Sequence, residues 1–304
     1  MMQIRLVKFK AYQYLLLSLA LIIFPVFFAG CGGSSGGSSS SSVTVPAVED
    51  LTQTDAETAL SSEGLTLGDI TLSCDDTISA GNIISSSPEE GSSVARGSSV
   101  DIVVSLGSGP CFNLSDPSKF TVGYEKTAAL TGSDSSNFDY TGTYSIETQS
   151  ATSIGGQDVI PVITGLAFST DNPNIADFDS EETAYFVDED TPYSIESGTV
   201  TYTPDAGAIS ELPSIGVIGG NGTLTSWTGD DGSTFSGTWV VEDGGSGLAD
   251  VVESYIFRDA SGDITSTQEI ITTVNEFGIP QSIYIVLDYP APLDITITLE
   301  GDLS

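Results

Sequence analysis

Histidine is absent from all 304 residues, and that absence closes off much of enzyme chemistry. Without an imidazole there is no histidine general base and no Ser-His-Asp triad, however abundant serine is. His-ligated zinc and haem are excluded for the same reason. Cations are almost as scarce: seven lysines and arginines face 42 aspartates and glutamates. Arg5, Lys8 and Lys10 lie at the extreme N-terminus, so Arg96, Lys119, Lys126 and Arg258 supply all the positive charge of the remaining chain. A surface this acidic repels phosphate backbones, and nucleic acid is excluded as a partner.

The three early cations precede an apolar run from Leu15 to Phe28. That run is shorter than the about 20 residues a bilayer-spanning helix needs, and it suits the core of a signal peptide. Phe28-Ala29-Gly30-Cys31 then resembles the bacterial lipobox, a hydrophobic residue and two small residues before a cysteine. The resemblance implies a signal peptide over residues 1–30, cleavage between Gly30 and Cys31, and a diacylglyceryl group on the Cys31 thiol. The chain would thus be a lipoprotein of the cell envelope, held to a membrane by lipid. Phe28 stands where leucine is more usual. Gly32, not aspartate, follows the cysteine, which by the sorting rule of enteric bacteria implies the outer membrane in a Gram-negative cell.

With Cys31 carrying lipid, Cys74 and Cys111 remain. In an oxidising compartment two such cysteines are expected to pair; two buried free thiols are the alternative. Residues 31–44 are almost entirely glycine and serine, a flexible tether with a root-mean-square reach of roughly 20 Å.

From Val45 the composition changes. Thr54-Asp55-Ala56-Glu57 has capping-box spacing, and Ala56, Ala59 and Leu60 recur at helical period, so a short helix is predicted to end at Gly64. Ile70, Leu72 and Cys74 alternate as in a strand, as do Val100, Ile102 and Val104. Gly81, Pro88-Glu89-Glu90-Gly91 and Gly97 mark turns between them. Val45-Pro46, Leu51, Ala59-Leu60, Gly64-Leu65, Ile83-Ile84, Pro88, Gly91, Gly97-Ser98 and Val103-Val104-Ser105 together resemble a PASTA module. This is the small repeat of penicillin-binding proteins and receptor-type Ser/Thr kinases. The resemblance covers residues 45–110 and implies an α+β unit of one helix and three strands. It also implies non-catalytic contact with peptidoglycan or a spacer role. Arg96 is the sole cation of the module and its natural partner for a carboxylate; the plainer alternative is a solvated side chain.

Residues 111–304 carry no family signature, and helical periodicity is nearly absent. Alternating runs occur at 138–146, 159–168, 193–202, 234–241, 251–257, 264–274, 282–289 and 293–299. Gly-rich and Asp-rich turns separate them, so an all-β antiparallel sandwich or barrel-like domain is expected. Acidic residues within several runs argue against a membrane-spanning barrel. Asp171, Asp177, Asp179, Glu181 and Glu182 read as one acidic loop, and Asp188-Glu189-Asp190 as the next. Asp177, Asp179, Glu181, Asp188 and Asp190 are oxygen ligands of the kind calcium takes, although the overall acidity favours solvated loops. No other cofactor is expected.

Trp227 and Trp239 can form a sugar platform or pack in a core. A glycosidase needs only paired carboxylates and no histidine, but no spacing singles out a pair. The expectation is a non-catalytic envelope lipoprotein with a wall-contacting PASTA module and a β domain for binding or scaffolding. The alternatives are a PASTA spacer carrying an adhesin or assembly domain and, behind it, a wall-directed glycosidase.

Overall fold

The computed structural model describes residues 41–116, 118–188, 191–205 and 212–303. Gly30, Cys31, the apolar run before them and most of the tether lie outside the described residues. Among the described residues no helix is long and apolar enough to cross a membrane. The chain divides into two compact units, a small N-terminal one and a large β one.

The small unit comprises β1 (Ser42–Thr44), α1 (Gln53–Ser62), β2 (Thr66–Ser73), β3 (Ile83–Ser87), β4 (Ser93–Ala95) and β5 (Ser99–Ser105). Strand β5 is central, parallel to β2 and antiparallel to β3, while β1 and β4 form a separate antiparallel ribbon. The helix starts earlier than its predicted capping box. Thr52, not Thr54, is the N-cap: its Oγ1 accepts from the Asp55 N–H at 3.3 Å and donates to the Asp55 carboxylate at 2.8 Å. Aspartate thus takes the third-position role assigned to Glu57 in the sequence reading.

At the other end, Leu65 N–H donates to the Leu60 carbonyl and Gly64 N–H to that of Ser61. This is a Schellman motif, and Gly64 at φ +76° supplies its left-handed residue. One face of α1 buries Ala56 and Leu60 against Ile83, Val100, Ile102 and Val104. Cys74, just past β2, is disulfide-bonded to Cys111 with Cα atoms 6.1 Å apart, so the expected pairing holds.

The large unit follows β6 (Cys111–Asn113). Its strands are β7 (Glu125–Asp134), β8 (Asp139–Thr148), β9 (Thr152–Ile154), β10 (Gln157–Thr170), β11 (Phe178–Asp188), β12 (Thr191–Ser197) and β13 (Val200–Pro204). After β14 (Ile215–Val217), which groups with the small unit, come β15 (Asn221–Gly229), β16 (Thr234–Gly245), β17 (Leu248–Arg258), β18 (Ile264–Val274), β19 (Pro280–Tyr289) and β20 (Ile295–Asp302). Around the sheet the order is β7, β8, β10, β11, β12, β13, β15, β16, β17, β18, β19 and β20, antiparallel throughout. The last strand returns to the first, with Leu299 opposite Gly132. The result is a closed up-and-down barrel of 12 strands, the barrel alternative of the predicted β class. Closure removes the exposed edges that a sandwich would keep.

Alternation sets what faces in. On β19 and β20, Ile283, Ile285, Leu287, Ile295, Ile297 and Leu299 are buried, whereas Thr296, Thr298 and Glu300 point out. A membrane-spanning barrel has the reverse arrangement, apolar outside and polar inside. The interior is a layer of aromatic and aliphatic side chains in which Trp227 stacks on Phe235 at 5.9 Å. Gly142 on β8 leaves room for the neighbouring strand: a Cβ there would lie 2.9 Å from the Phe168 Cα and clash with the Ala167 carbonyl oxygen.

Two predicted features change. The run 193–202 is two strands, broken by a turn at Gly198 with φ +61°. The first acidic loop is largely strand β11, because Asp179 and Glu181 occupy its outward positions and Glu182 its inward face. Outward carboxylates between apolar inward residues read as a loop when the charges are weighed before the period.

Candidate functional site

Arg96 is exposed and follows β4 at the turn into β5. Its guanidinium lies over Gly64, so that a Cβ on that glycine would come within 2.8 Å of the Arg96 Cζ. Gly97 N–H also donates to the Gly64 carbonyl at 2.8 Å. The one cation of the module thus sits at the C-terminal end of α1, where carbonyl dipoles favour positive charge. Its immediate task is local, and its outer edge remains open to solvent.

Of the acidic residues proposed for calcium, the described Asp177, Asp179 and Glu181 do not gather into one site. Asp177 precedes β11, and Asp179 and Glu181 are successive outward positions along it. Asp190 and the side chain of Asp188 lie outside the described residues. Among the described residues no three His, Cys, Asp or Glu side chains group closely enough to hold a metal ion. Asp171, from the same stretch, accepts the Asp139 N–H at 2.9 Å, joining the end of β10 to the start of β8.

The inside of the barrel holds a polar patch that the sequence reading missed. On β17 the inward row is Ala249, Val251, Glu253, Tyr255 and Phe257. The Tyr255 hydroxyl donates to Glu253 Oε2 at 2.6 Å, which fixes both side chains on one face. Directly across the strand pair, Glu253 meets Trp239 of β16, and Tyr255 meets Gln268 of β18. Lys119 approaches from the segment before β7. Its carbonyl accepts from Thr148 Oγ1, and the neighbouring Phe120 ring packs edge-on to Phe186 at 4.9 Å.

Burial pushes the Glu253 carboxyl above the ordinary carboxylate range, with the Tyr255 hydrogen bond and the Lys119 charge pulling it back. Burial lowers Lys119, opposed by Glu253 and Asp116. Tyr144 and Tyr255 are pushed up, first by burial and then by the Glu253 charge. These shifts place Glu253, Lys119, Tyr144 and Tyr255 in one electrostatic neighbourhood. Perturbed groups gathered inside a fold mark a candidate site.

Gln268 differs from the rest. It is 3% exposed, and both its Nε2 and its Oε1 are buried without a hydrogen-bond partner. Leaving a buried amide unsatisfied costs on the order of 1–3 kcal/mol. The two tryptophans separate here: Trp227 is core at 1% exposure, whereas Trp239 is inward-facing and only half-buried. A visible signal existed in Val251-Val252-Glu253-Ser254-Tyr255, where a period of two puts a carboxylate on the face of Val251 and Tyr255. Nothing in the sequence marks Gln268 or Lys119, whose significance comes from strand register and from the segment that folds across the barrel.

With this geometry in place, the resemblances fall on the small unit. Residues 43–106 match the PASTA domain family. That unit is a PASTA domain. A probable serine/threonine-protein kinase of Clostridium acetobutylicum is 34% identical over 64 residues, which are 21% of this chain and 10% of the kinase. The chain therefore spans about a tenth of that relative. The crystal structure of the three-PASTA-domain of a Ser/Thr kinase from Staphylococcus aureus covers 27% of this chain and 38% of its own, at 30% identity and TM-score 0.22. The entire extracellular region of the Ser/Thr kinase PrkC from Staphylococcus aureus covers 46% and 51%, at 18% identity and TM-score 0.21.

Proposed function

We propose that this chain is a non-catalytic lipoprotein of the cell envelope whose PASTA domain contacts peptidoglycan while the barrel binds or scaffolds a second component. The observation that carries the reading is the PASTA domain at residues 43–106. The lipobox-like Phe28-Ala29-Gly30-Cys31 supports export and a lipid anchor on Cys31, with the outer membrane as the destination in a Gram-negative cell. The Ser/Gly tether would then hold the PASTA domain roughly 20 Å from the bilayer. Metabolic labelling with a fatty-acid probe tests the anchor: label on the wild type and none on Cys31→Ala is expected.

A second reading makes the PASTA domain a spacer for an adhesin or assembly domain. It is favoured by the position of Arg96, the module's lone cation, already engaged at the end of α1. Co-sedimentation of the mature protein with purified sacculi separates the two. Wall contact through Arg96 predicts retention that falls in Arg96→Ala. Equal retention of both would remove Arg96 from the contact, and no retention of either favours the spacer.

A further inference from the structure

We draw no further inference here: the strongest candidate, the outward apolar row of Val240, Val252, Ile271 and Tyr284 across β16 to β19, is an unpartnered face of the barrel wall, and nothing in the structure shows what covers it.

Discussion

Reduction of the Cys74–Cys111 bond, or its replacement in the double variant Cys74→Ala/Cys111→Ala, should destabilise one unit and spare the other. The bond closes a loop of sequence separation 37. In the chain-entropy relation this removes about 3.8 kcal/mol of unfolded-state freedom at 25 °C. The PASTA unit has only nine fully buried apolar side chains, from Val45 to Val104. A unit of its size has a total stability on the order of 3–10 kcal/mol, so the loss is a large fraction of the whole.

The two units are also spectroscopically separable. Residues 41–110 contain no phenylalanine, tyrosine or tryptophan, and both tryptophans lie in the barrel. Hydrogen exchange of peptides covering β5 should therefore accelerate about 500-fold in the double variant, the equivalent of 3.8 kcal/mol at about 1.4 kcal/mol per decade. The urea midpoint followed by tryptophan fluorescence should stay in place. Unchanged exchange in β5 would refute the magnitude. A fluorescence midpoint that moved with the reduction would refute the assignment of the bond to the PASTA unit alone.

Glu253 predicts a pH dependence of definite sign. Its folded carboxyl is raised by burial, so the folded state retains a proton that the unfolded chain releases at about pH 4.3. The associated stability is complete below that pH and is lost as pH rises through the folded value. The melting temperature of Glu253→Gln minus that of the wild type should therefore grow as pH rises from about 4 to about 8, and a flat difference contradicts the burial argument. Gly142→Ala should lower the melting temperature of the barrel, by the several degrees that about 2 kcal/mol or more of overpacking entails, because the new methyl meets the Ala167 carbonyl. Thermal melting with tryptophan fluorescence checks it, and an unchanged midpoint would mean that the strands part without cost.

The PASTA unit was legible because its signals are local. Gly64, Gly81, Gly91 and Gly97 all have positive φ where turns were expected, and the helix was misplaced only at its cap, where Thr52 competes with Thr54. The barrel was legible as a class and not as a topology. Strand β7 escaped notice because its inward positions are Ala128, Leu130, Gly132 and Asp134, too small and polar for a hydrophobic period to stand out. Strand β11 was hidden by Asp179 and Glu181 on its outer face. Closure itself depends on pairing β20 with β7, residues about 165 positions apart, and no local pattern encodes that. The interior patch was out of reach for the same reason, since Trp239, Glu253 and Gln268 become neighbours only once register across three strands is set.

The most direct test of the proposed function is sedimentation with purified sacculi of the mature chain against a chain lacking residues 43–106. The full chain should be retained, the shortened chain should stay in the supernatant, and added soluble wall fragments should release what is bound. Equal retention of both chains, or retention of neither, would contradict a wall contact made by the PASTA domain.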